Sequence, residues 1–224
     1  MEYRGAMARP RSFDEGEVLR AARDQFWSTG YAAARVDDIA AATGLGKGSL
    51  YGAFGDKHQL FLRTFDDHCA GLIEAVRRSL EGPDDRAYDR LCAHVLAVAN
   101  ATAADAGRRS CLLAKGTAEL SEQDPAVAAT ARRTFATIEE LIASCIAGAQ
   151  RAGDIKADAD PARLAGLVLA VLRGIEALGK GGSSADSLHA IAETALDLLP
   201  RPQDQPRRDR RAAKPGAKPR PASH

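Results

Sequence analysis

The chain has 224 residues, of which 45% are hydrophobic and 27% charged, a composition typical of a folded protein with a sizeable core. It has no apolar run of about 18 residues or more and no apolar N-terminal stretch that could direct secretion, so we expect a cytoplasmic protein and no membrane span. The four cysteines stand singly at Cys69, Cys92, Cys111 and Cys145, a spacing that argues against a zinc site or a disulfide framework.

The net charge of +1 conceals an uneven distribution. Residues 1–54 carry 7 basic and 7 acidic side chains, residues 55–199 carry 16 and 21, and residues 200–224 carry 8 and 2. Because the chain as a whole has no strong positive field, attraction to phosphate groups must come from locally placed Arg and Lys side chains.

The first helix is predicted from a cap and an apolar stripe. Residues 1–11 form a basic arm without apolar periodicity, and we expect this arm to be flexible. Ser12 and Glu15 have the spacing of a capping box, and apolar residues recur at helical spacing until Gly30. The stripe comprises Leu19, Ala22 and Phe26. The pattern predicts one helix between Ser12 and Gly30.

The stretch from Val36 to Lys57 has the pattern of two short helices joined by a tight turn. Gly44 can adopt the left-handed backbone conformation that ends the first helix and reverses the chain. The second helix, residues 47–54, directs Leu50 and Phe54 inwards. Its other face is small and polar and contains Lys47, Gly48, Ser49 and Tyr51. Such a face fits a major groove about 12 Å wide, so the stretch is predicted to be a DNA-binding helix-turn-helix.

Residues 18–62 resemble the DNA-binding region of the TetR family of bacterial transcriptional regulators. The resemblance starts with V-L-R-A-A-R-D-Q-F-W-S-T-G-Y, includes the turn, and ends with F-G-D-K-H-Q-L-F, which is similar to the start of the family's fourth helix. Three positions depart from the family pattern. Arg35 stands where a capping Ser or Thr is usual, Gly46 where a capping Ser is common, and Gly52-Ala53 where larger residues are common.

The resemblance implies that this region contacts DNA. Tyr51 and Lys47 would reach phosphates and base edges, and Arg35 would offer a charge to a phosphate in place of a cap. Lys57 begins the fourth helix, where its ammonium group and the free backbone N–H groups would together bind a phosphate. The expected DNA-binding residues are Arg35, Lys47, Gly48, Ser49, Tyr51 and Lys57.

The chain beyond the turn has helical patterns throughout. Asp56 repeats the capping-box spacing, and Asp124-Pro125 and Asp160-Pro161 each combine a cap with a first-turn proline. No strand pattern occurs and about nine helices can be counted, so the predicted fold class is all-α. We assign residues 12–55 to the helix-turn-helix domain and residues 56–199 to a second helical domain.

For residues 56–199 the TetR resemblance implies ligand binding and dimerisation. The last two long helices of each subunit would form a four-helix interface, to which we assign Leu164, Val168, Val171, Leu188, Ile191 and Ala195. A family pocket is apolar with a few polar anchors. The candidates for these anchors are His68, His94, Cys111, Glu119 and Arg173. Both histidines stand alone within helices, so we assign no metal site and expect no cofactor.

The predicted function is a ligand-responsive transcriptional regulator, a dimeric repressor that binds a palindromic operator and is released by a small molecule. Two alternatives stay open. One is a constitutive DNA-binding protein, which would have no use for the long second domain. The other is a redox or electrophile sensor, in which Arg108 and Arg109 lower the pKa of the Cys111 thiol, although a free cysteine is usually buried as a small hydrophobe.

We expect no enzyme, because no metal, phosphate-loop, serine-elbow or dinucleotide motif occurs. The end of the chain, residues 200–224, is rich in Arg, Lys, Pro and Ala and has almost nothing to bury, which predicts a disordered basic tail. Such a tail would add non-specific phosphate contacts, and a solvated terminus without a role is the equal alternative.

Overall fold

The computed structural model of the chain describes residues 13–109 and 111–202. Within these ranges it contains nine α-helices, a short 3-10 helix at Asp84–Arg86 and no strand, which confirms the predicted all-α class. The helices are α1 (Glu15–Thr29), α2 (Val36–Thr43), α3 (Lys47–Phe54), α4 (Lys57–Leu80), α5 (Ala87–Ala104), α6 (Leu112–Leu120), α7 (Pro125–Arg151), α8 (Pro161–Lys180) and α9 (Ala185–Asp197). The predicted arm at residues 1–11 and its neighbour Ser12 lie outside the described residues.

Aspartate side chains cap four of the helices. Asp56, Asp124 and Asp160 accept backbone N–H groups at the starts of α4, α7 and α8, as the sequence predicts. The start of α1 differs from the prediction. Its cap is Asp14, which accepts the Gly16 N–H at 2.8 Å, and the helix begins one residue later. A carboxylate at this position both satisfies free N–H groups and interacts favourably with the helix dipole, so Asp14 takes the place expected for Ser12.

The first hydrophobic core joins α1, α2 and α3 to the N-terminal half of α4. Phe61 of α4 packs edge-on against Phe26 of α1, with 5.1 Å between ring centroids, and stacks on Phe65 at 5.5 Å. Leu113 of α6 and Val127 of α7 belong to the same cluster. The hydrophobic core of the helix-turn-helix region therefore includes side chains of α4. The predicted domain boundary after residue 55 assigns α4 to the other domain.

The second core is formed by α5, α7, α8, α9 and the C-terminal half of α4. Its fully buried side chains include Leu91, Ile142, Ile146 and Leu188. Each such side chain contributes roughly 1.5 to 3 kcal/mol through removal of its surface from water. The 24-residue helix α4 supplies side chains to both cores and is therefore the continuous element that joins them.

The C-terminal segment remains in contact with the fold beyond the point that the sequence predicts. The Pro200 carbonyl accepts the Lys156 N–H at 2.9 Å. The Arg201 guanidinium lies 4.5 Å above the Tyr88 ring and 3.7 Å from the Asp154 carboxylate. The expectation that the tail starts at residue 200 is therefore wrong, since these residues have partners. The rest of the predicted tail, residues 203–224, lies outside the described residues.

Three further observations concern membrane spans, metal sites and cysteines in the described part of the chain. None of its helices is long and apolar enough to cross a membrane. No group of three or more His, Cys, Asp or Glu side chains in residues 13–109 and 111–202 is placed to hold a metal ion. All four cysteines are buried, and none of them forms a disulfide within the described residues.

Candidate nucleic-acid interface and cavity

The turn between α2 and α3 has the predicted geometry. Gly44 ends α2 with a φ of 66°, and its N–H is donated back to carbonyls of the last helical turn. Gly46, in an extended conformation, precedes the first residue of α3. Leu50 and Phe54 are buried and anchor α3 against the first core. The opposite face of α3 is therefore presented to solvent.

This outer face of α3 is open and polar. Lys47, Gly48 and Ser49 are exposed, and the Tyr51 side chain is 47% exposed although it is large and aromatic. A Cβ atom at Gly48 or Gly52 would meet no atom within 4 Å. The face thus combines a lysine, a serine hydroxyl and a tyrosine hydroxyl on a smooth surface, which are groups that contact phosphates and base edges.

Two of the predicted DNA-binding side chains form ion pairs with one carboxylate that was not predicted to belong to the site. Asp37 Oδ1 lies 2.6 Å from Lys47 Nζ, and Asp37 Oδ2 lies 3.9 Å from Arg35 Nη2. The three side chains are between 46% and 73% exposed. Ion pairs this exposed contribute at most about 1 kcal/mol to stability, so a phosphate can compete for either cation. Asp37 appears in the sequence only as a first-turn carboxylate of α2, and its role follows from the approach of α3.

The Lys57 side chain is directed towards the connection between α1 and α2. Its Nζ donates to the Ala32 carbonyl at 3.2 Å and lies 4.7 Å from the centre of the Tyr31 ring. The Gln59 N–H, one of the groups expected to bind phosphate, is donated to the Asp56 carboxylate at 2.8 Å. The fold itself therefore uses part of the predicted phosphate site, and two of the three ammonium protons of Lys57 remain for another acceptor.

The six residues assigned to a dimer interface fall into two groups. Leu188 is completely buried and Val168 is only 6% exposed within the single chain. The assignment of these two is corrected, because both fill the second core of their own chain. The other four, which are half-buried, are Leu164, Val171, Ile191 and Ala195.

Helices α8 and α9 each carry a second apolar stripe at the margin of the core, in which partly buried residues that pack against the core are followed by strongly exposed ones. On α8 it includes Leu167 and Leu178, which are 51% and 45% exposed, with Val171 between them. On α9 it includes Ile191 and leads to Leu198, which is 73% exposed. The spacings of four, seven and eleven residues place each set on one side of its helix. Exposed apolar stripes on adjacent helices are typical of a subunit interface.

A cavity of about 360 Å³ lies where α1, α4, α5, α6 and α8 approach one another. Its volume is in the range of small-molecule sites. Among its lining side chains are Trp27, His68, Leu72, Val98, Cys111 and Glu176. Of the five predicted anchors, the structure therefore brings His68 and Cys111 to one cavity.

The other three predicted anchors have different contacts. Arg173 lies behind the cavity wall, with Nη1 2.9 Å from the Glu176 carboxylate and 3.1 Å from the Cys111 sulfur. His94 Nδ1 is 2.9 Å from the Ser79 hydroxyl. The assignment of these two residues as cavity-lining groups is corrected, because neither side chain belongs to the lining and each is engaged by protein groups instead.

Burial keeps the two lining residues His68 and Cys111 uncharged at neutral pH. Desolvation lowers the pKa of His68 to about 4, and the nearby charge of Arg23 acts in the same direction. The buried His68 Nε2 has no hydrogen-bond partner among the described residues. Desolvation also raises the pKa of the Cys111 thiol, and the Glu176 carboxylate adds to this effect. Arg109, expected to activate Cys111, instead lies 4.6 Å above the Trp27 ring.

Helix α6 connects the cavity wall to the end of α1. Lys115 Nζ donates to the carbonyls of Trp27 at 2.9 Å and Ser28 at 3.4 Å. Glu119 Oε2 accepts the backbone N–H of Tyr31 at 2.7 Å. The assignment of Glu119 as a ligand anchor is thus corrected, because its carboxylate binds the connection between α1 and α2. The sequence around Glu119 gives no indication of this contact, since Glu119 and Tyr31 are far apart along the chain.

A second polar contact joins α4 to α7. His58 Nε2 lies 2.5 Å from Asp124 Oδ2, and Asp124 also caps α7. The bond from His58 holds the pKa of Asp124 below its usual range, and the capping N–H groups add to this effect. The start of α4, adjacent to the helix-turn-helix, is therefore attached to the helix that runs through the second core.

The comparisons with known proteins agree with this arrangement. The sequence model described as "Bacterial regulatory proteins, tetR family" matches residues 18–64, and the model described as "Tetracyclin repressor-like, C-terminal domain" matches residues 87–195. The chain is similar to the transcriptional repressor ComR of Escherichia coli (strain K12), with 26% identity over 192 residues, covering 86% of this chain and 91% of ComR. It is 37% identical over 76 residues to the transcriptional activator FasR of Mycolicibacterium smegmatis, covering 34% of this chain and 35% of FasR.

Among solved structures, the chain is similar to CifR, a TetR family transcriptional regulator, in a cysteine mutant complexed with 26-bp operator DNA. The TM-score is 0.68 at 26% identity, and the match covers 86% of this chain and 100% of CifR. Both helical parts of the chain, the helix-turn-helix and the domain with the cavity, thus have counterparts in one group of proteins. The chain belongs to the tetR family of bacterial regulatory proteins and is a DNA-binding transcriptional regulator.

Proposed function

We propose that a homodimer of this chain represses transcription by binding a palindromic operator, and that a small molecule in the cavity releases it from DNA. The observation that carries the proposal is the position of α6. This helix begins at the cavity with Leu112 and is bonded through Lys115 and Glu119 to the segment that leads into the helix-turn-helix. Acting on DNA, the protein would work in the bacterial cytoplasm.

Dimerisation is supported by the outer apolar stripes of α8 and α9. Pairing these helices with their copies would bury Leu167, Leu178 and Leu198, which are unusually exposed in the single chain. A two-fold dimer has two copies of α3. To occupy successive major grooves on one side of the DNA, these copies must lie about 34 to 36 Å apart.

Release would follow from a change in that spacing. A ligand that binds better to a dimer with a different spacing shifts the population away from the DNA-binding form, with a coupling of typically about 1 to 3 kcal/mol. Two connections could transmit the shift: α6 through its bonds to α1, and α4 through its side chains in both cores. The His58–Asp124 contact adds a third link between the same regions.

The redox-sensor alternative receives no support from Cys111. A reactive thiol needs a lowered pKa and access to solvent. Burial instead raises the pKa of the Cys111 thiol, and Cys111 is only 8% exposed. The constitutive alternative leaves the cavity and its connection to α1 without a use. Release from DNA by a small molecule distinguishes it from the proposed regulator.

The test begins with genomic footprinting, which identifies the bound sites and, from the neighbouring genes, candidate ligands. Affinity for one such site is then measured by fluorescence anisotropy with and without each candidate, and sedimentation tests for twice the chain mass of 23.7 kDa. We expect a palindromic site, a dimer, and at least one ligand that weakens binding. Equal affinity for the site and for random DNA, or a monomer on the site, would contradict the proposal.

A further inference from the structure

Much of the cavity lining is apolar. It includes Trp27, Leu72, Val98 and Leu112, and His68 adds an imidazole that burial keeps uncharged. These side chains offer a ligand apolar contacts and few hydrogen bonds. The bound molecule is therefore expected to place a hydrocarbon portion here.

The charged side chains at the same cavity do not cancel. The Asp105 carboxylate accepts the backbone N–H of Arg109 at 2.7 Å and lies 3.3 Å from Arg109 Nε. The Glu176 carboxylate is matched by Arg173 at 2.9 Å. This pairing leaves Arg108 and Lys180, which line the cavity and have no ion-pair partner among residues 13–109 and 111–202. Two cations of the cavity lining, Arg108 and Lys180, are therefore available to an anionic ligand.

The backbone holds Arg108 at the cavity in an unusual conformation. Arg108 has a φ of 46°, and no other residue except glycine has a positive φ in the described part of the chain. Its guanidinium lies over Gly182, where a Cβ atom would be only 2.8 Å from Arg108 Nη1. A non-glycine residue in the left-handed region is costly and is found disproportionately at binding sites. The segment after α5 and the segment after α8 thus meet at the cavity, where the Arg108 side chain contacts Gly182.

We infer that the cavity binds an amphipathic organic anion, of the class of medium-chain carboxylates. Its hydrocarbon portion would lie against Trp27 and Leu72, and its carboxylate would lie between Arg108 and Lys180. The volume of about 360 Å³ is at the lower end of the range for small-molecule sites, which favours a compact ligand. The inference rests on the proposed function only in naming this anion as the molecule that releases DNA.

The chain provides its own probe for this site. Trp27 is its single tryptophan and lines the cavity, so its fluorescence reports occupancy without DNA. Titrations of the full chain with octanoate and decanoate are compared with titrations with octanamide and decanamide, which have the same shapes without the charge. We expect a saturable change in fluorescence, with each carboxylate binding at least about fivefold more tightly than its amide. Added NaCl should weaken only the carboxylates.

Variants of Arg108 and Lys180 test which positive charge attracts the carboxylate. Arg108→Gln and Lys180→Gln should each weaken carboxylate binding by about threefold to fivefold and leave amide binding unchanged. Matched controls are Arg78→Gln on α4 and Lys156→Gln before α8, both at exposed positions that do not line the cavity. The controls should bind carboxylate and amide as wild type does.

Three results would overturn the inference: equal binding of carboxylate and amide, no Trp27 response to either carboxylate, or variants at both cations that bind carboxylate as wild type does. None of these results bears on whether the dimer binds its operator. A failure of the proposed function would appear instead in the anisotropy assay, as equal affinity for the operator and for random DNA.

Discussion

Glu119 on α6 accepts the backbone N–H of Tyr31 at 2.7 Å, across 88 residues of sequence. Tyr31 follows α1 and precedes the helix-turn-helix, and its ring packs against Phe61 of α4. One carboxylate of the cavity-bearing domain is therefore bonded directly to the segment that positions the DNA-binding helices. The close approach depends on Gly30, where a Cβ atom would collide with the Glu119 carboxylate.

The first prediction is that Gly30→Ala destabilises the protein. Gly30 has φ 85° and ψ 166°, a region that only glycine occupies readily, so the substitution should lower the free energy of unfolding by about 1 to 3 kcal/mol. Urea denaturation followed by circular dichroism measures the change. Gly52→Ala is the control, because a Cβ there has open space and should stabilise α3 by up to about 1 kcal/mol. Equal stability of both variants would contradict the strained geometry.

The second prediction concerns the coupling between cavity and DNA. Glu119→Gln weakens the bond to the Tyr31 N–H, and Lys115→Met removes the bond to the Trp27 carbonyl. Because both bonds join α6 to the end of α1, the ligand should lose much of its effect on operator affinity. The quantity to measure is the ratio of operator Kd with ligand to that without. We expect this ratio to fall towards 1 from a starting value of about 5 to 150. The control is Glu122→Gln, at an exposed position just after α6, which should keep the wild-type ratio. A wild-type ratio in both Glu119→Gln and Lys115→Met would exclude α6 as the connection.

The third prediction separates the subunit interface from the core. Leu178→Glu places a charge on the outer stripe of α8 and should give a folded monomer, seen by sedimentation at 23.7 kDa with helicity retained. Leu188→Ala should instead remain dimeric but lose about 2 to 5 kcal/mol of stability, because it leaves a cavity in the second core. A dimer that persists in Leu178→Glu would place the interface elsewhere.

The fourth prediction concerns Lys57 and DNA. Lys57→Ala removes a positive charge that can donate to a DNA phosphate in addition to the Ala32 carbonyl, so the slope of log affinity against log salt should become shallower by about one unit. The variant also loses the bond to Ala32 and the contact with the Tyr31 ring, at a cost of about 1 kcal/mol in stability. Arg78→Ala, also on α4, is the control. Salt titrations of Lys57→Ala that superimpose on wild type would refute the phosphate contact.

The fifth prediction concerns acid stability. Because the folded-state pKa of His68 is lowered to about 4 from its usual 6.5, the unfolded chain takes up this proton first as the pH falls. The stability linked to His68 is therefore fully present above pH 6.5 and is lost as the pH falls to about 4, by about 3 kcal/mol. His68→Gln should flatten the dependence of unfolding free energy on pH in this interval. The same slope in variant and wild type would show that His68 is not buried uncharged.

The sequence by itself determined the class of the fold and the DNA-binding element, because both depend on local patterns. Helical spacing of apolar residues, caps such as Asp124 and Asp160, and the left-handed Gly44 act within one or two turns of chain, and each is found where the sequence predicts it. The resemblance of residues 18–62 to a known motif adds to this local information and is confirmed by the family match to residues 18–64.

Only the tertiary structure decided which side chains of the second domain share a site. Glu119 and Arg173 have the sequence environment of pocket residues, but one binds Tyr31 and the other lies behind Cys111. Likewise, α8 has two apolar stripes, and the sequence cannot tell that Val168 faces the core while Leu167 faces outwards. The reason is physical: helical periodicity specifies which residues share a face, whereas the packing of several helices decides what that face meets.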